Sequence, residues 1–463
     1  MGREPWSGRK ILVLGLGDSG YSMARWLARK GARVTALDTR EAPPHLAAAR
    51  ELDGVTVRLG VFRRKEFDEA DVIAVSPGLD PRVGELGAAI RRGMPVMGDV
   101  EMFARTLAAA AEPPQVIAIT GSNGKSTVTA MCGEICARAG RDTVVAGNYG
   151  LPVLDVLDEI DGGRRMPDTF VLELSSFQLE TMASLNPVAA TLLNISEDHL
   201  DRYDSLEDYA AAKRRIFAGD GAQVLNRDDE YSMKAAQRGR PFASFGYSAP
   251  LTDDEWGLQG DARDLQLAHG ASALMPMARL QIAGLHNAAN ALAAGALCHA
   301  AGVAHAAITS ALCDFKGLPH RVEKVAELHG VTFYDDSKGT NVGATEAALK
   351  GATQPVILIA GGDGKGQDFS PLAAAVKARA RAVVLIGRDG EAIARVLDGA
   401  GVPLHRAGSM QEAVDSAYAA ARPGDAVMLS PACASYDMFK SYIHRAQVFV
   451  ACVRDLAARL EAA

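Results

Sequence analysis

Gly121, Ser122, Asn123 and Gly124 precede Lys125, Ser126 and Thr127 in the segment AITGSNGKST, residues 118–127. Consecutive backbone N–H groups in a glycine-containing loop of this kind cradle phosphates, the lysine reaches β- and γ-phosphates, and the hydroxyl of Ser126 serves magnesium. The general pattern asks for another glycine five positions before Gly124, where this chain has Ile119. Its absence shortens the loop and removes none of the donors. The strand-like QVIAI precedes the loop and the helical TVTAMCGEICARAG follows it, so the spacing predicts nucleoside triphosphate binding.

A phosphate loop needs an acid to hold its metal. FVLELSSFQLE ends an apolar run in Glu173, either a metal-holding carboxylate or a strand-terminal cap of the loop. After the next apolar run, VAATLLNI, the segment SEDHLDRYDS packs Glu197, Asp198, His199 and Asp201 together. Ligands gather at the carboxyl ends of parallel strands, which favours a functional His199 over a solvated one. In the helical stretch SLEDYAAAKRRIFAG, Ser205 with Asp208 reads as an N-cap and Gly219 as the stop. Tyr209, Lys213 and Phe217 are spaced by four and share a face. Lys213 between aromatics is partly desolvated, with a lowered pKa and an accessible neutral amine; the other reading has its stem covering the core and its ammonium snorkelling outward.

Two further strand-like runs end in glycines. KILVLGLGDSG carries Gly15, Gly17 and Gly20, with a helix expected to begin near Tyr21, and the following RVTALD ends in Asp38. This arrangement suits a dinucleotide, another nucleotide-linked substrate, or only a tight turn, because the backbone and the helix dipole recognise phosphate alone. VIAVSPGLD would sit at the same sheet edge. PVILIAGGDGKGQDF exposes Asp363 and Lys365, VTFYDDSKGTN carries Asp336, Lys338 and Thr340, and DAVMLSPACASYD carries Ser435. GGDGKG lacks the Ser or Thr that would hold a metal, so Lys365, Thr340 and Ser435 fit a carboxylate-recognising site better than a second phosphate loop.

Elements that position such loops are legible in the same pattern. Short continuous apolar runs alternate with alanine-rich helical stretches, the signature of parallel sheets covered on both faces. At 463 residues the chain exceeds one ordinary core, and about 150 residues per domain suggests about three. Charged residues make up 23% and the net charge is −7, which argues against a sequence-independent grip on nucleic acid. The six cysteines form no C-x-x-C pair; Cys132 and Cys136 read as small core residues, and a reducing compartment fits. The first apolar run is too short for a signal or a membrane span, so a cytoplasmic protein is expected.

Three loop-bearing α/β units imply three ligands brought together, which points to ligation through an acyl phosphate. The rivals are an NAD-dependent dehydrogenase using Asp38, which leaves the loop at Gly121 unexplained, and a nucleotide switch, which leaves the last polar loops unexplained.

TGSNGKST, LELSSFQLE, NISEDHLDRY, YAAAKRRIF, GLHNAANALAA, GLPHRVE, DDSKGTN, GGDGKG and SPACAS, in that order, resemble the Mur ligases of peptidoglycan synthesis. SPACAS with DDSKGTN and the N-terminal DTR looks like the branch that adds D-glutamate. The resemblance implies an α/β fold of three domains: a Rossmann-like domain for the UDP-substrate (1–105), a central P-loop ATPase-like parallel sheet binding ATP (106–317), and a C-terminal Rossmann-like domain for the amino acid (318–463). It implies a monomer taking UDP-N-acetylmuramoyl-L-alanine and D-glutamate. By resemblance, Gly121 to Thr127, Asn290, Arg321, Asp336 and Lys338 hold ATP and one Mg2+, with Ser126 on the metal. Glu173, His199 and Lys213, the last as a carbamate formed with CO2, ligate a second Mg2+. Gly15, Gly17, Ser19, Asp38, Thr39, Arg40, Ser76 and Asn148 take the UDP end, and Thr340, Lys365, Ser435 and Tyr442 take D-glutamate. Two positions depart from the family pattern: Tyr442 replaces a phenylalanine, and Asp18 an apolar residue. Another amino acid is the alternative within the family.

Overall fold

The central strands are buried along nearly their whole length, as continuous apolar runs require when helices cover both faces. Thr169–Glu173 and Val356–Gly361 are buried at every position. A computed structural model describes residues 6–261, 264–282 and 284–462, and these residues form three sheets.

The first sheet is parallel, in the order Val55–Leu59, Arg33–Asp38, Lys10–Leu14, Val72–Val75, Val96–Met97. The chain reverses direction of winding at Lys10–Leu14, so the glycine loop that follows lies at the switch point where open α/β sheets bind ligands. Gly20 brings the first helix onto that loop, since a Cβ there would stand 1.9 Å from the Gly15 carbonyl oxygen. That helix spans Asp18–Arg29, beginning before the expected Tyr21 because the Gly17 carbonyl already accepts from the Tyr21 N–H.

In the second sheet Gln115–Thr120, which feeds the phosphate loop, lies between Thr169–Glu173 and Ala189–Leu192. This order brings Glu173 and the segment leading to His199 to either side of the loop. The parallel strands continue outward through Ala222–Asn226 and Phe242–Phe245 to Glu255–Gln259, and Gln266–His269 and Ser272–Pro276 then add antiparallel. The third sheet sets Val331–Asp335, Ala426–Leu429 and Val356–Gly361 side by side, so their three polar loops emerge at one edge; Glu323–Leu328 joins antiparallel. The parallel sheets read from the apolar runs are present, and antiparallel strands extend two of them. The antiparallel additions lie at the margins of their sheets with mixed or half-exposed burial, which a search for continuous apolar runs passes over.

One continuous core runs from the first sheet into the second, through Trp26, Phe103, Phe170 and Leu179. Arg25 reinforces the joint by pairing with Asp155 and Asp158. The third sheet has cores of its own. Among the described residues, no helix is long and apolar enough to cross a membrane.

Candidate active site

The phosphate loop is built for close approach by its backbone. Gly121 and Gly124 take φ of +152° and +82°, and a Cβ on Gly124 would lie 2.5 Å from Asn290 Oδ1. The helix Lys125–Arg138 starts directly on the loop and directs its N-terminal dipole there. Asn194 and Ser196 brace the loop from the segment that follows the neighbouring strand Ala189–Leu192: Asn194 Oδ1 accepts from Asn123 N at 2.8 Å, and Ser196 N donates to Ser122 Oγ at 2.9 Å. Lys125 Nζ donates to the Gly121 and Ser122 carbonyls, both at 2.8 Å. Burial lowers its pKa, with Glu173 and Asp198 opposing.

Glu173, His199 and Lys213 border one cavity of about 570 Å³ with Lys125 and Ser126. Glu173 Oε1 accepts from Asn148 Nδ2 at 2.5 Å, while Oε2 is buried with no partner among the described residues. Lys213 is 1% exposed, so the snorkelling arrangement is overturned. The helix that carries it, Leu206–Arg214, tightens into a 3-10 turn over Arg215–Phe217. Lys213 Nζ donates to the Gly121 carbonyl at 2.9 Å and to Thr120 Oγ1 at 3.4 Å, and lies 4.7 Å from the Tyr209 ring centroid. Burial, assisted by the Lys125 charge, drives its pKa well below the ordinary lysine value. His199 takes a left-handed φ of 57°, with Phe177 and Tyr209 rings at 4.8 and 6.3 Å. Its burial outweighs Asp198 and holds its pKa down to about 4, so the imidazole is neutral at pH 7. An orphaned carboxylate oxygen, a neutral imidazole and an amine whose charged form is disfavoured by burial are what a divalent cation and a lysine carbamate would require of these positions.

The third sheet closes the other side. Arg321 Nη2 donates to Ser126 Oγ at 2.8 Å. Lys365, also at positive φ, pairs with Asp198 at 2.8 Å. Burial works against the Asp198 charge, and Lys365 followed by His199 overrides it, holding the carboxyl at about 2. Burial pushes Asp336 up to about 7 although Ser430 donates to it at 2.6 Å. Burial and Arg321 lower Lys338 to about 8, and its Nζ stands 4.0 Å over the Tyr442 ring. Thr340, Ser435 and Tyr442 line the same cavity. Behind them the fully buried Arg445 donates to Ser337 Oγ, the Ser337 carbonyl and the Cys433 carbonyl at 3.0, 2.8 and 3.0 Å, tying two of the polar loops together.

A second cavity, of about 940 Å³, opens over the first sheet and is lined by Gly15, Gly17, Ser19, Asp38, Thr39, Arg40, Ser76 and Asn148. Asn148, Ser175 and Phe177 line it and the central cavity alike. Asp38 accepts from Leu16 N at 2.7 Å and from Arg40 Nε and Nη2 at 2.9 and 2.7 Å. Burial opposes its charge, but these bonds hold it at about 2. Asp18 is exposed and bonds His45 Nε2 at 2.7 Å. A third cavity, of about 330 Å³, contains Asn290 and Thr127 and shares Asn123, Gly124, Arg321 and Asp336 with the central one. Every residue to which the resemblance gives a site role therefore borders one of three adjoining cavities except Gly121, whose carbonyl receives Lys125 and Lys213. Sequence reasoning missed Asn194, Ser196 and Arg445, and gave no role to Asp198. Asn194 stands immediately after an apolar strand next to the loop, a signal within reach; a buried arginine in a long amphipathic helix gives none.

Three α/β units whose loops meet in one cleft define a nucleotide-dependent ligase of modular build. The chain belongs to the Mur ligase family: residues 119–298 match the Mur ligase middle domain, 9–98 the Mur ligase MurD-like N-terminal domain, and 320–433 the Mur ligase glutamate ligase domain. It is 55% identical over 466 aligned residues to the UDP-N-acetylmuramoylalanine–D-glutamate ligase of Thiobacillus denitrificans, covering 98% of each chain. It is 56% identical to the protein of the same name from Methylobacillus flagellatus, covering 97% of each. The fold is shared with the UDP-N-acetylmuramate–alanine ligase of Thermotoga maritima (TM-score 0.61, 19% identity, 96% of this chain and 99% of that one).

Proposed function

We propose that the protein joins D-glutamate to UDP-N-acetylmuramoyl-L-alanine with hydrolysis of ATP to ADP and phosphate, a step in building the peptidoglycan precursor. The family membership and the names of its near relatives support this reading, and the continuity of the three cavities carries its mechanism. Residues 1–105 take the UDP end, 106–317 the ATP, and 318–463 the amino acid. ATP lies with its adenine near Asn290 and its phosphates along Gly121–Thr127; the UDP-substrate enters over Asn148, and D-glutamate meets Thr340, Lys365, Ser435 and Tyr442.

The substrate carboxylate attacks the γ-phosphorus in line, and ADP leaves. Lys125, released from its own loop carbonyls, follows the charge onto the transferring oxygens, and Arg321 supports it from the third sheet. The D-glutamate amine then attacks the acyl carbon, and phosphate departs from the tetrahedral adduct. Magnesium, held by Ser126 at one position and by Glu173, His199 and the carbamate of Lys213 at a second, would neutralise phosphate charge. Enclosure by the third domain keeps water from the acyl phosphate.

Phosphate release from ATP plus UDP-N-acetylmuramoyl-L-alanine tests the reading against a panel of D-glutamate, L-glutamate, meso-diaminopimelate, lysine and L-alanine. D-glutamate alone should sustain turnover, and Lys125→Ala should abolish it. Turnover with another member of the panel and none with D-glutamate would assign a different branch of the family.

A further inference from the structure

Three histidines outside the cleft converge at the far end of the second sheet. His269 ends the strand Gln266–His269, His299 lies in the last turn of the helix Leu285–Ala300, and His305 opens the helix His305–Asp314. The short connection between those helices stacks His299 on His305, with ring centroids 4.7 Å apart and planes at 14°. The antiparallel hairpin supplies the third ring. His269 Nδ1 faces His305 Nε2 at 3.0 Å, and one ring nitrogen from each of the three lies within 4.8 Å of the others.

The arrangement is braced from below. Trp256, cross-strand partner of His269, stacks on its ring at 4.4 Å and 18°. Trp256 is itself buried against Gly295, where a Cβ would stand 2.6 Å from the indole. None of the three histidines lines the cavities of the cleft.

The chemistry of the set is selective. Three imidazoles and no carboxylate disfavour the hard cations Mg2+ and Ca2+ and suit a borderline transition metal. Tetrahedral coordination at about 2.0–2.1 Å per Zn–N bond sets nitrogens about 3.3 Å apart. The 3.0 Å pair is close to that spacing, and the exposed His299 can rotate to bring the third nitrogen in. We propose that His269, His299 and His305 form a binding site for one Zn2+-class ion, with water completing the coordination. Such an ion would clamp the antiparallel hairpin to the paired helices of the central domain, away from the reacting groups.

The full-length protein, with excess Mg2+ present to occupy the oxygen-rich cleft, would be titrated with Zn2+ against a chromophoric chelator. Wild type should take up one Zn2+ per chain and gain in thermal midpoint. The double variant His299→Ala/His305→Ala should lose at least about 100-fold in affinity, since removing even an outer partner of a metal site costs about 10–100-fold. It should also lose the thermal gain and keep its Mg2+-dependent ligase turnover. Co2+ bound in place of Zn2+ should give visible bands of tetrahedral intensity in wild type only. If the double variant does not fold, His299→Ala alone, at an exposed position, serves the same comparison. Equal Zn2+ affinity in wild type and variant, or no uptake by wild type, overturns the proposal.

Discussion

Lys365 Nζ and Asp198 Oδ1 lie 2.8 Å apart, joining a loop of the third sheet to the loop that carries His199. Among the described residues the third sheet shares no core with the other two, and polar contacts cross to it: this pair, Arg321 with Ser126, Asn341 Nδ2 with Asp198 Oδ2 at 3.4 Å, and Asp368 N with Glu197 Oε2 at 3.0 Å. Both partners are largely buried, at 19% and 12% side-chain exposure, and removing one leaves a charge stranded, at a cost of about 3–5 kcal/mol. Lys365→Met should therefore lower kcat/KM at least about 100-fold, equivalent to about 2.7 kcal/mol, and abolish compaction in small-angle scattering with ATP analogue and UDP-substrate. Wild-type compaction in the variant would remove the pair from the closure mechanism.

His199 yields a pH prediction. Its folded pKa, about 4, lies below the unfolded value near 6.5. Between those values the unfolded chain binds the proton and the folded one does not, so stability falls as pH drops from about 6.5 to about 4. Imidazole NMR should show His199 neutral at pH 6, and His199→Gln should flatten that limb of a pH–stability curve. A resonance titrating near 6.5 would contradict the buried neutral ring.

Lys213 sets function against stability. Its folded pKa is depressed, so below the ordinary lysine value the unfolded chain gains a proton that the folded one refuses, and folding is penalised at neutral pH. Lys213→Met should raise the thermal midpoint by about 2–4 °C, the shift expected for about 1 kcal/mol in a domain of this size, while turnover falls to near zero. Lys213→Ala, equally inactive, should regain part of its turnover with added short carboxylates. Full activity in the alanine variant would end the carbamate role.

Asp38 is expected to act by shaping its loop. Its oxygens are engaged by Leu16 N and Arg40, which leaves it poorly placed as a free acceptor for a ribose. Asp38→Asn should raise KM for the UDP-substrate at least about tenfold, a loss of about 1.4 kcal/mol, with kcat little changed. NAD should bind neither form in calorimetry. Because the folded carboxyl is held at about 2, its stabilising contribution is present above the unfolded value near 3.9 and is lost as pH falls toward 2.

Much of this site was legible because its residues follow directly on apolar strands. Glu173, the loop at Gly121, Lys338 and Lys365 each lie at or just beyond the carboxyl end of a parallel strand, where the local pattern of strand, glycine and charge survives in sequence. The antiparallel strands at the sheet margins were not legible, since partial exposure gives them no continuous apolar run. Nor were pairings between distant segments. Asp198 stood in view as one acid among several, but its partner Lys365 lies 167 positions away, and only the folded chain brings them together.

Arg445 is the strongest case of a residue that sequence could not assign. It is fully buried, and burial lowers its pKa to about 10, which still leaves it charged at pH 7. Its three donors hold Ser337, next to Lys338, and Cys433, two residues before Ser435. A lysine keeps the charge but cannot span these acceptors in one plane, and each buried carbonyl left unpaired costs about 1–3 kcal/mol. Arg445→Lys should thus raise KM for D-glutamate at least about tenfold, equivalent to about 1.4 kcal/mol, and lower the thermal midpoint of the protein. KM for the UDP-substrate should not move, because the first-sheet cavity is lined by neither loop. A merely structural role would lower stability and leave the D-glutamate KM unchanged, so unaltered D-glutamate saturation in a destabilised variant would show that Arg445 supports the fold without positioning the two loops for substrate.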